Sequence, residues 1–141
     1  MKRSDTMKSK TWVLGDIHGA YKALKQVIEK AGIGQYDQLI FLGDYVDGWP
    51  ESYQVIDYLM NLSRHYSCTF IRGNHDIWCG SWLAENVADQ AWLENKGSST
   101  ITSYAGIGQE EKACTPFFLR VSKTIIWMKK TGCSSMQDLQ L

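Results

Sequence analysis

The chain has 141 residues, with 15 Lys and Arg against 15 Asp and Glu, 44% hydrophobic residues and only 2 Pro. This length allows one domain with a hydrophobic core, and the composition argues against a disordered or collagen-like chain. The formal net charge of zero gives no broad basic field for binding nucleic acid or an anionic membrane.

The sequence contains no recognisable targeting or membrane segment. The polar start, residues 1–10, is followed by a short apolar run that is far below the length of a signal-peptide core. No window approaches the ~20 apolar residues of a membrane span. The four cysteines, Cys68, Cys79, Cys114 and Cys133, are widely spaced and form no Cys-x-x-Cys motif. These features predict a cytoplasmic protein with reduced thiols.

Short apolar runs alternate with helical patterns along the chain. Residues 12–14 predict a buried strand that stops at Gly15, followed by a helix that ends at Gly32. Residues 39–42 predict a second buried strand, followed by a helix that begins at Pro50. The apolar positions of the two helices are Leu24, Val27, Ile28 and Ala31, and then Val55, Ile56, Leu59 and Met60.

A third unit repeats this arrangement. Residues 68–71 predict a strand that ends near Gly73, and one or two helices follow. The helical pattern is carried by Trp82, Leu83, Val87, Trp92 and Leu93. Strands that alternate with helices predict parallel βαβ units with right-handed crossovers. The expected fold class is α/β, a mostly parallel sheet flanked by helices.

Each predicted strand ends in a cluster of glycine with acidic, amide or imidazole side chains. The clusters are Gly-Asp-Ile-His-Gly at 15–19, Gly-Asp-Tyr-Val-Asp-Gly at 43–48 and Gly-Asn-His-Asp at 73–76. In a parallel sheet these strand ends meet at one edge, where open α/β folds bind their ligands. Glycine fits the tight turns and lets the backbone approach an ion or a phosphate closely.

Asp16, His18, Asp44 and Asn74 offer carboxylate, imidazole and amide ligands, a set that suits manganese, iron or zinc. A carboxylate on the middle strand could bridge two ions about 4 Å apart, a geometry that clamps a phosphoryl group and makes hydroxide at neutral pH. Any one cluster alone is more simply an ordinary polar turn. Three clusters at three successive strand ends predict a metal site for phosphoester hydrolysis.

The three clusters, in this order and spacing, resemble the first motifs of the calcineurin-like metallophosphoesterases. The resemblance is to the branch with protein serine/threonine phosphatases and symmetrical diadenosine tetraphosphatases, and it covers residues 11–118, the amino-terminal half of that domain. It implies two divalent ions, manganese, iron or zinc. Asp16 and His18 would hold the first ion, Asp44 would bridge, and Asn74 would bind the second.

The resemblance also implies a catalytic pair. His75, oriented by Asp47, would donate a proton to the leaving oxygen while a metal-activated water attacks. Gly48 stands where protein phosphatases of this branch carry a phosphate-binding arginine, and Asp76 where they carry glutamate. Both departures weigh against a protein substrate. Arg72 is expected to brace the site.

Other aromatic and imidazole side chains near the clusters have simpler interpretations. Trp49, Trp78 and Trp82 are expected to pack in the core or at its rim rather than to bind substrate. His65 is expected at the surface, close to the end of the second helix.

The family takes two further ligands for the second metal, both histidines, from its carboxyl-terminal half. No histidine follows His75 in this sequence, so the second metal site is expected to be incomplete. The predicted organisation is a flexible start at 1–10, the half-domain at 11–118 and an atypical tail at 119–141.

Two explanations fit the tail. In the first explanation, the tail is the family's continuation translated in the wrong reading frame. Met and Trp each have a single codon, so in the shifted frame three junctions between neighbouring codons must encode Asp, Glu and Ala. The family pattern accepts these three residues at those positions. The shifted reading can place a histidine at the junction of Ser135 and Met136. In the second explanation the tail is a natural variant in which Val121, Ile125, Ile126 and Trp127 form a final strand or helix.

The sequence therefore predicts a metal-dependent phosphoesterase whose activity is impaired by the incomplete second metal site. Its substrate would be a phosphorylated protein or small molecule, and no nucleic-acid or membrane partner is expected. The alternatives are a dinucleoside polyphosphate hydrolase and a catalytically inactive, truncated metal-binding fragment.

Overall fold

The computed structural model describes residues 8–121, 124–130 and 133–139. The strands β1 (Thr11–Leu14), β2 (Gln38–Phe41) and β3 (Ser67–Phe70) form a parallel sheet in that order. Leu14 pairs with Phe41, and Phe41 with Phe70, so the three strands end at the same edge. The predicted parallel α/β arrangement is confirmed.

Helices connect and flank these strands. They are α1 (Tyr21–Ala31), α2 (Ser52–Leu62), α3 (Asn74–Glu85), α4 (Gln90–Trp92), α5 (Ser98–Ser103) and α6 (Gln109–Val121), with a kinked turn, Leu93–Gly97, between α4 and α5. Two further strands, β4 (Thr124–Lys130) and β5 (Cys133–Leu139), pair antiparallel in a second sheet. In the described ranges, we find no helix that is both long and apolar enough to span a bilayer.

Local sequence explains where the helices end. Gly32 has φ 66° and Asn86 has φ 55°, so both take the left-handed conformation that commonly terminates a helix. At the start of α3 the carboxylate of Asp76 accepts the N–H of Gly73 at 2.9 Å, which satisfies one of the free amide groups of the first turn. The polar ends of these helices are thus fixed by residues next to them in sequence.

The hydrophobic core is centred on β2, the middle strand. Leu39 and Phe41 are fully buried, and so are the inward-facing residues of α2, namely Val55, Ile56 and Leu59. The ring of Phe41 stacks on Phe70 with centroids 5.2 Å apart, and Phe70 meets Phe118 of α6 edge-on at 4.8 Å. The aromatic contacts therefore attach α6 to the strand that leads into the third cluster.

Some of the apolar positions in the predicted elements are exposed. Val13 on β1, one of the two outer strands of the sheet, is 58% exposed, and Val27 on α1 is 54% exposed. These two residues line an open apolar groove of about 300 Å³. The prediction that residues 12–14 form a buried strand was wrong in this respect. Leu42 and Val87, also assigned to predicted elements, are exposed beyond the ends of β2 and α3.

The predicted boundary after residue 118 falls inside α6. Phe118 and Leu119 are both buried in the core. Of the apolar residues assigned to a final strand or helix, Val121 ends α6 and the others lie in β4. Of the predicted flexible start, residues 1–7 lie outside the described residues. The domain division and the shifted reading frame stay predictions.

Candidate active site

The loops that follow β1 and β2 are joined by backbone hydrogen bonds. The N–H groups of Ile17 and His18 both donate to the carbonyl oxygen of Asp44, at 3.0 and 2.9 Å. The N–H of Gly19 donates to the carbonyl oxygen of Tyr45 at 2.8 Å. Because these bonds lie at the strand ends, the first two clusters form one platform at the edge of the sheet.

Asp16, His18 and Asp44 form a candidate metal site on this platform. One potential ligand atom from each residue lies within 4.8 Å of the others, and His18 Nε2 is 3.7 Å from Asp16 Oδ2. His18 Nδ1 lies 2.9 Å from the carbonyl oxygen of Val46. Since a carbonyl can only accept, Nδ1 carries the hydrogen and Nε2 keeps its lone pair for a metal. Two carboxylates and one imidazole nitrogen fit a divalent ion of the manganese, iron and zinc group.

The backbone of these ligands is unusual. Asp44 and His18 have φ angles of 53° and 48°, in the left-handed region that few residues other than glycine adopt. Two glycines let the neighbouring loop come close, because a Cβ on Gly73 would overlap Asp44 Oδ1 and one on Gly43 would lie 2.5 Å from the Gly73 nitrogen. Strained backbone held by its surroundings is typical of functional sites.

The third cluster reaches the platform through Asp44. The N–H of His75 donates to Asp44 Oδ1 at 3.2 Å. Asn74, the predicted ligand of a second metal, directly precedes His75 as the exposed first residue of α3. The structure therefore brings the start of α3 to the carboxylate that the sequence predicts to bridge two ions.

The predicted pair of His75 and Asp47 is in hydrogen-bond contact. His75 Nδ1 lies 2.7 Å from Asp47 Oδ2, and Asp47 is only 1% exposed. Because the carboxylate occupies Nδ1, the other ring nitrogen, Nε2, is the one that can exchange a proton with a ligand. The rings of His75 and His18 meet edge-on with centroids 4.9 Å apart. The pair thus lies directly beside the candidate metal ligands.

Three side chains that the sequence does not mark as functional hold Asp47. Trp92 Nε1 donates to Asp47 Oδ2 at 2.6 Å, and the hydroxyl of Thr100 donates to Asp47 Oδ1. Ser52 Oγ accepts the N–H of Asp47 at 3.1 Å. The sequence pattern predicts Trp92 only as an apolar helix residue. A buried tryptophan needs an acceptor for its N–H, and that requirement is the one signal in the sequence that points to a polar partner.

Asp76 fixes the backbone of two clusters. Its carboxylate accepts N–H groups from Asp44 at 2.7 Å, Tyr45 at 2.8 Å and Gly73 at 2.9 Å. The side chain is fully buried, and burial raises the pKa of its carboxyl to about 6 despite these bonds. The sequence marked Asp76 only as a departure from a motif, whereas the structure gives it a positioning role.

A cleft of about 630 Å³ opens beside the histidine pair. It is lined by His18, Asp47, Gly48, Trp49 and His75, and by Glu94, Asn95 and Lys96 from the kinked turn.

Trp49 is 66% exposed, so the expectation that it packs is wrong. Trp82 packs as expected, against Trp92 and Tyr104. Arg72, expected to brace the site, donates to the Leu119 carbonyl at 3.3 Å, which ties the end of β3 to α6.

This chain belongs to the calcineurin-like phosphoesterase family, whose model matches residues 9–134. It is 26% identical over 109 residues to the asymmetrical bis(5'-nucleosyl)-tetraphosphatase PrpE of Halalkalibacterium halodurans, covering 71% of this chain and 43% of that protein. It is 35% identical to the symmetrical bis(5'-nucleosyl)-tetraphosphatase of Coxiella burnetii, over 48% of this chain and 23% of that one.

A third relative is the serine/threonine-protein phosphatase 2B catalytic subunit A2 of Saccharomyces cerevisiae, which is 39% identical over 45% of this chain and 11% of its own length. The chain spans less than half the length of these curated relatives. The sequence-based resemblance to the family is confirmed by these matches.

Thr100→Val is expected to lower the free energy of unfolding by about 1–3 kcal/mol, because it removes a donor from the buried carboxylate of Asp47 at nearly constant volume. Thr102→Val is the matched control, since Thr102 lies on the same helix, is exposed, and its hydroxyl donates to the Ser98 carbonyl of that helix. Urea denaturation followed by circular dichroism measures both variants. Equal stability losses would contradict the assigned role of Thr100.

Asp44→Asn is expected to weaken Mn²⁺ binding at least about a hundredfold, because residues that merely orient metal ligands already contribute about 10- to 100-fold. Asp57→Asn on α2 is the control, since Asp57 is exposed and contacts only Asn61 among the hydrogen bonds described. Isothermal titration calorimetry with MnCl₂ gives both affinities. Undiminished binding by Asp44→Asn would place the metal elsewhere.

Proposed function

We propose that this chain is a divalent-metal-dependent phosphoesterase. Asp16, His18, Asp44 and Asn74 would hold the metal, and His75 would act as the general acid. The observation that carries the proposal is the hydrogen bond between His75 Nδ1 and Asp47 Oδ2, which lies beside three potential metal ligands at one edge of the sheet. Membership of the calcineurin-like phosphoesterase family supports the same chemistry.

The donor set indicates what a metal would contribute. When bound, a divalent ion supplies Lewis acidity toward a phosphoryl oxygen and a hydroxide nucleophile at neutral pH. Asp44 follows the central strand and contacts the start of α3, so we expect its carboxylate to be the one shared between two metal positions. The second position would receive only Asp44 and Asn74 from the described residues, and we expect it to bind more weakly than the first.

His75 would deliver a proton to the oxygen of the leaving group. Its Nδ1–H bond to Asp47 orients the ring and leaves Nε2 as the nitrogen that would exchange a proton with the ligand. Asp47 itself is buried, and a buried carboxylate stays charged only where donors compensate for the lost water. Trp92 and Thr100 supply these donors and hold the Asp47 carboxylate in a fixed position.

A dinucleoside polyphosphate is the second substrate class that we consider, beside simple phosphate esters. One observation favours it: Trp49 exposes its ring at the cleft, and an exposed indole is a surface on which a nucleobase can stack. Two of the relatives described above are named as bis(5'-nucleosyl)-tetraphosphatases. Comparison of turnover on diadenosine tetraphosphate and on a phosphopeptide separates the substrate classes.

His75→Asn is expected to reduce Mn²⁺-dependent hydrolysis of p-nitrophenyl phosphate by about 10²- to 10⁴-fold, the usual contribution of a positioned acid. His65→Asn is the matched control, because His65 is exposed beyond the end of α2 and should leave turnover unchanged. Initial rates at saturating metal measure the effect.

Two results would overturn the proposal. If His75→Asn kept the wild-type rate, His75 would not be the acid. If the wild-type chain bound metal but hydrolysed no phosphate ester with manganese, iron or zinc, the chain would be the inactive metal-binding fragment that the sequence also allows.

A further inference from the structure

We propose that Lys96 is the phosphate-binding cation of this site. From the kinked turn it would hold a charged phosphoryl oxygen of the substrate while the reacting bond lies beside His75. This inference rests on the proposed function and assigns the part of the cleft that takes the anionic group of the substrate.

The position of Lys96 in the cleft is the first argument. The cleft is lined by both His18 and His75, so a ligand that fills it touches one candidate metal ligand and lies beside the catalytic pair. The other charged side chains in its lining are the carboxylates of Asp47 and Glu94. Within the described ranges, Lys96 is the single Lys or Arg that lines this cleft. An ammonium group offers a compact positive charge and three donors, which suit a phosphate oxygen.

The turn that carries Lys96 is fixed to the loop that carries Asp47. Ser99 Oγ accepts the N–H of Gly48 at 2.9 Å and donates to the carbonyl oxygen of Lys96 at 2.8 Å. Trp92, before the turn, donates to Asp47, and a Cβ on Gly97 would lie 2.5 Å from the Trp92 ring. The backbone of Lys96 is therefore held on both sides at a constant position relative to the catalytic pair.

The backbone conformation of Lys96 is the second argument. Its φ is 71°, in the left-handed region that glycine adopts without strain and that side chains with a Cβ disfavour. The position would thus suit glycine better if the backbone alone mattered. Residues held in a disfavoured backbone conformation cluster at ligand-binding and active sites, and Lys96 is such a residue in the lining of this cleft.

The test compares phosphate binding by the full chain and its variants in the presence of Mn²⁺. The probe is inorganic phosphate, measured by equilibrium dialysis, and its inhibition of p-nitrophenyl phosphate hydrolysis is measured in parallel. Lys96→Gln is expected to weaken phosphate binding about tenfold, because it removes a charge-assisted hydrogen bond from a dianion. Lys96→Arg should restore most of the affinity, and KM should rise more than kcat falls in Lys96→Gln.

Two further variants sharpen the test. Lys96→Gly should bind phosphate as weakly as Lys96→Gln, yet its thermal midpoint should equal or exceed that of the wild type, because glycine relieves the strain at φ 71°. Glu94→Gln should bind phosphate more tightly, because it removes a like charge from the lining of the cleft. The matched control is Lys112→Gln on α6, since Lys112 lines a different groove and should leave phosphate binding unchanged.

Undiminished phosphate binding by Lys96→Gln, or an equal loss in Lys112→Gln, would overturn the assignment of Lys96. A wild-type chain that binds no phosphate would overturn it as well. A wild-type chain that binds phosphate through Lys96 but hydrolyses no ester would support this inference and contradict the proposed function, so the two failures are distinguishable.

Discussion

Three backbone N–H groups converge on the buried carboxylate of Asp76, and the geometry of the candidate site depends on this interaction. The groups belong to Asp44 and Tyr45, after β2, and to Gly73, before α3. Because Asp76 is fully buried, water is not there to replace any of these bonds, and the loss of one would leave an unpaired polar group in the core. The two loops therefore keep one relative position, which holds the metal-ligand candidate Asp44 against the first turn of α3.

From Asp44 a continuous set of hydrogen bonds leads away from the sheet. Asp44 Oδ1 accepts the N–H of His75, and the ring of His75 donates to Asp47. Asp47 in turn accepts from Trp92 and Thr100, on either side of the kinked turn. The candidate metal ligand Asp44, the proposed catalytic pair and the wall of the cleft thus belong to one network. In such a network each bond orients the next group, so its members are expected to act as a unit rather than to contribute independently.

The parts of the site that could be predicted from the sequence are those fixed by local pattern and strand order. Glycine and acidic clusters after three apolar runs are local signals, and parallel pairing alone brings them to one edge. The exposure of Val13 was not predictable in this way, since an apolar run does not tell an outer strand from a central one. Trp92 and Thr100 lie 45 and 53 residues from Asp47 in the chain, and no local pattern marks such partners.

The central claim is that the ends of three strands form a single metal site before any ligand binds. Nuclear magnetic resonance of the ¹⁵N-labelled chain with substoichiometric Mn²⁺ tests this most directly, because the paramagnetic ion broadens the amide signals nearest to it. We predict the strongest broadening in all three clusters together, at Asp16, Asp44 and His75, and the weakest at Lys30, at the far end of α1. Broadening centred on the acidic pair Glu110 and Glu111 of α6, or confined to one cluster, would contradict it.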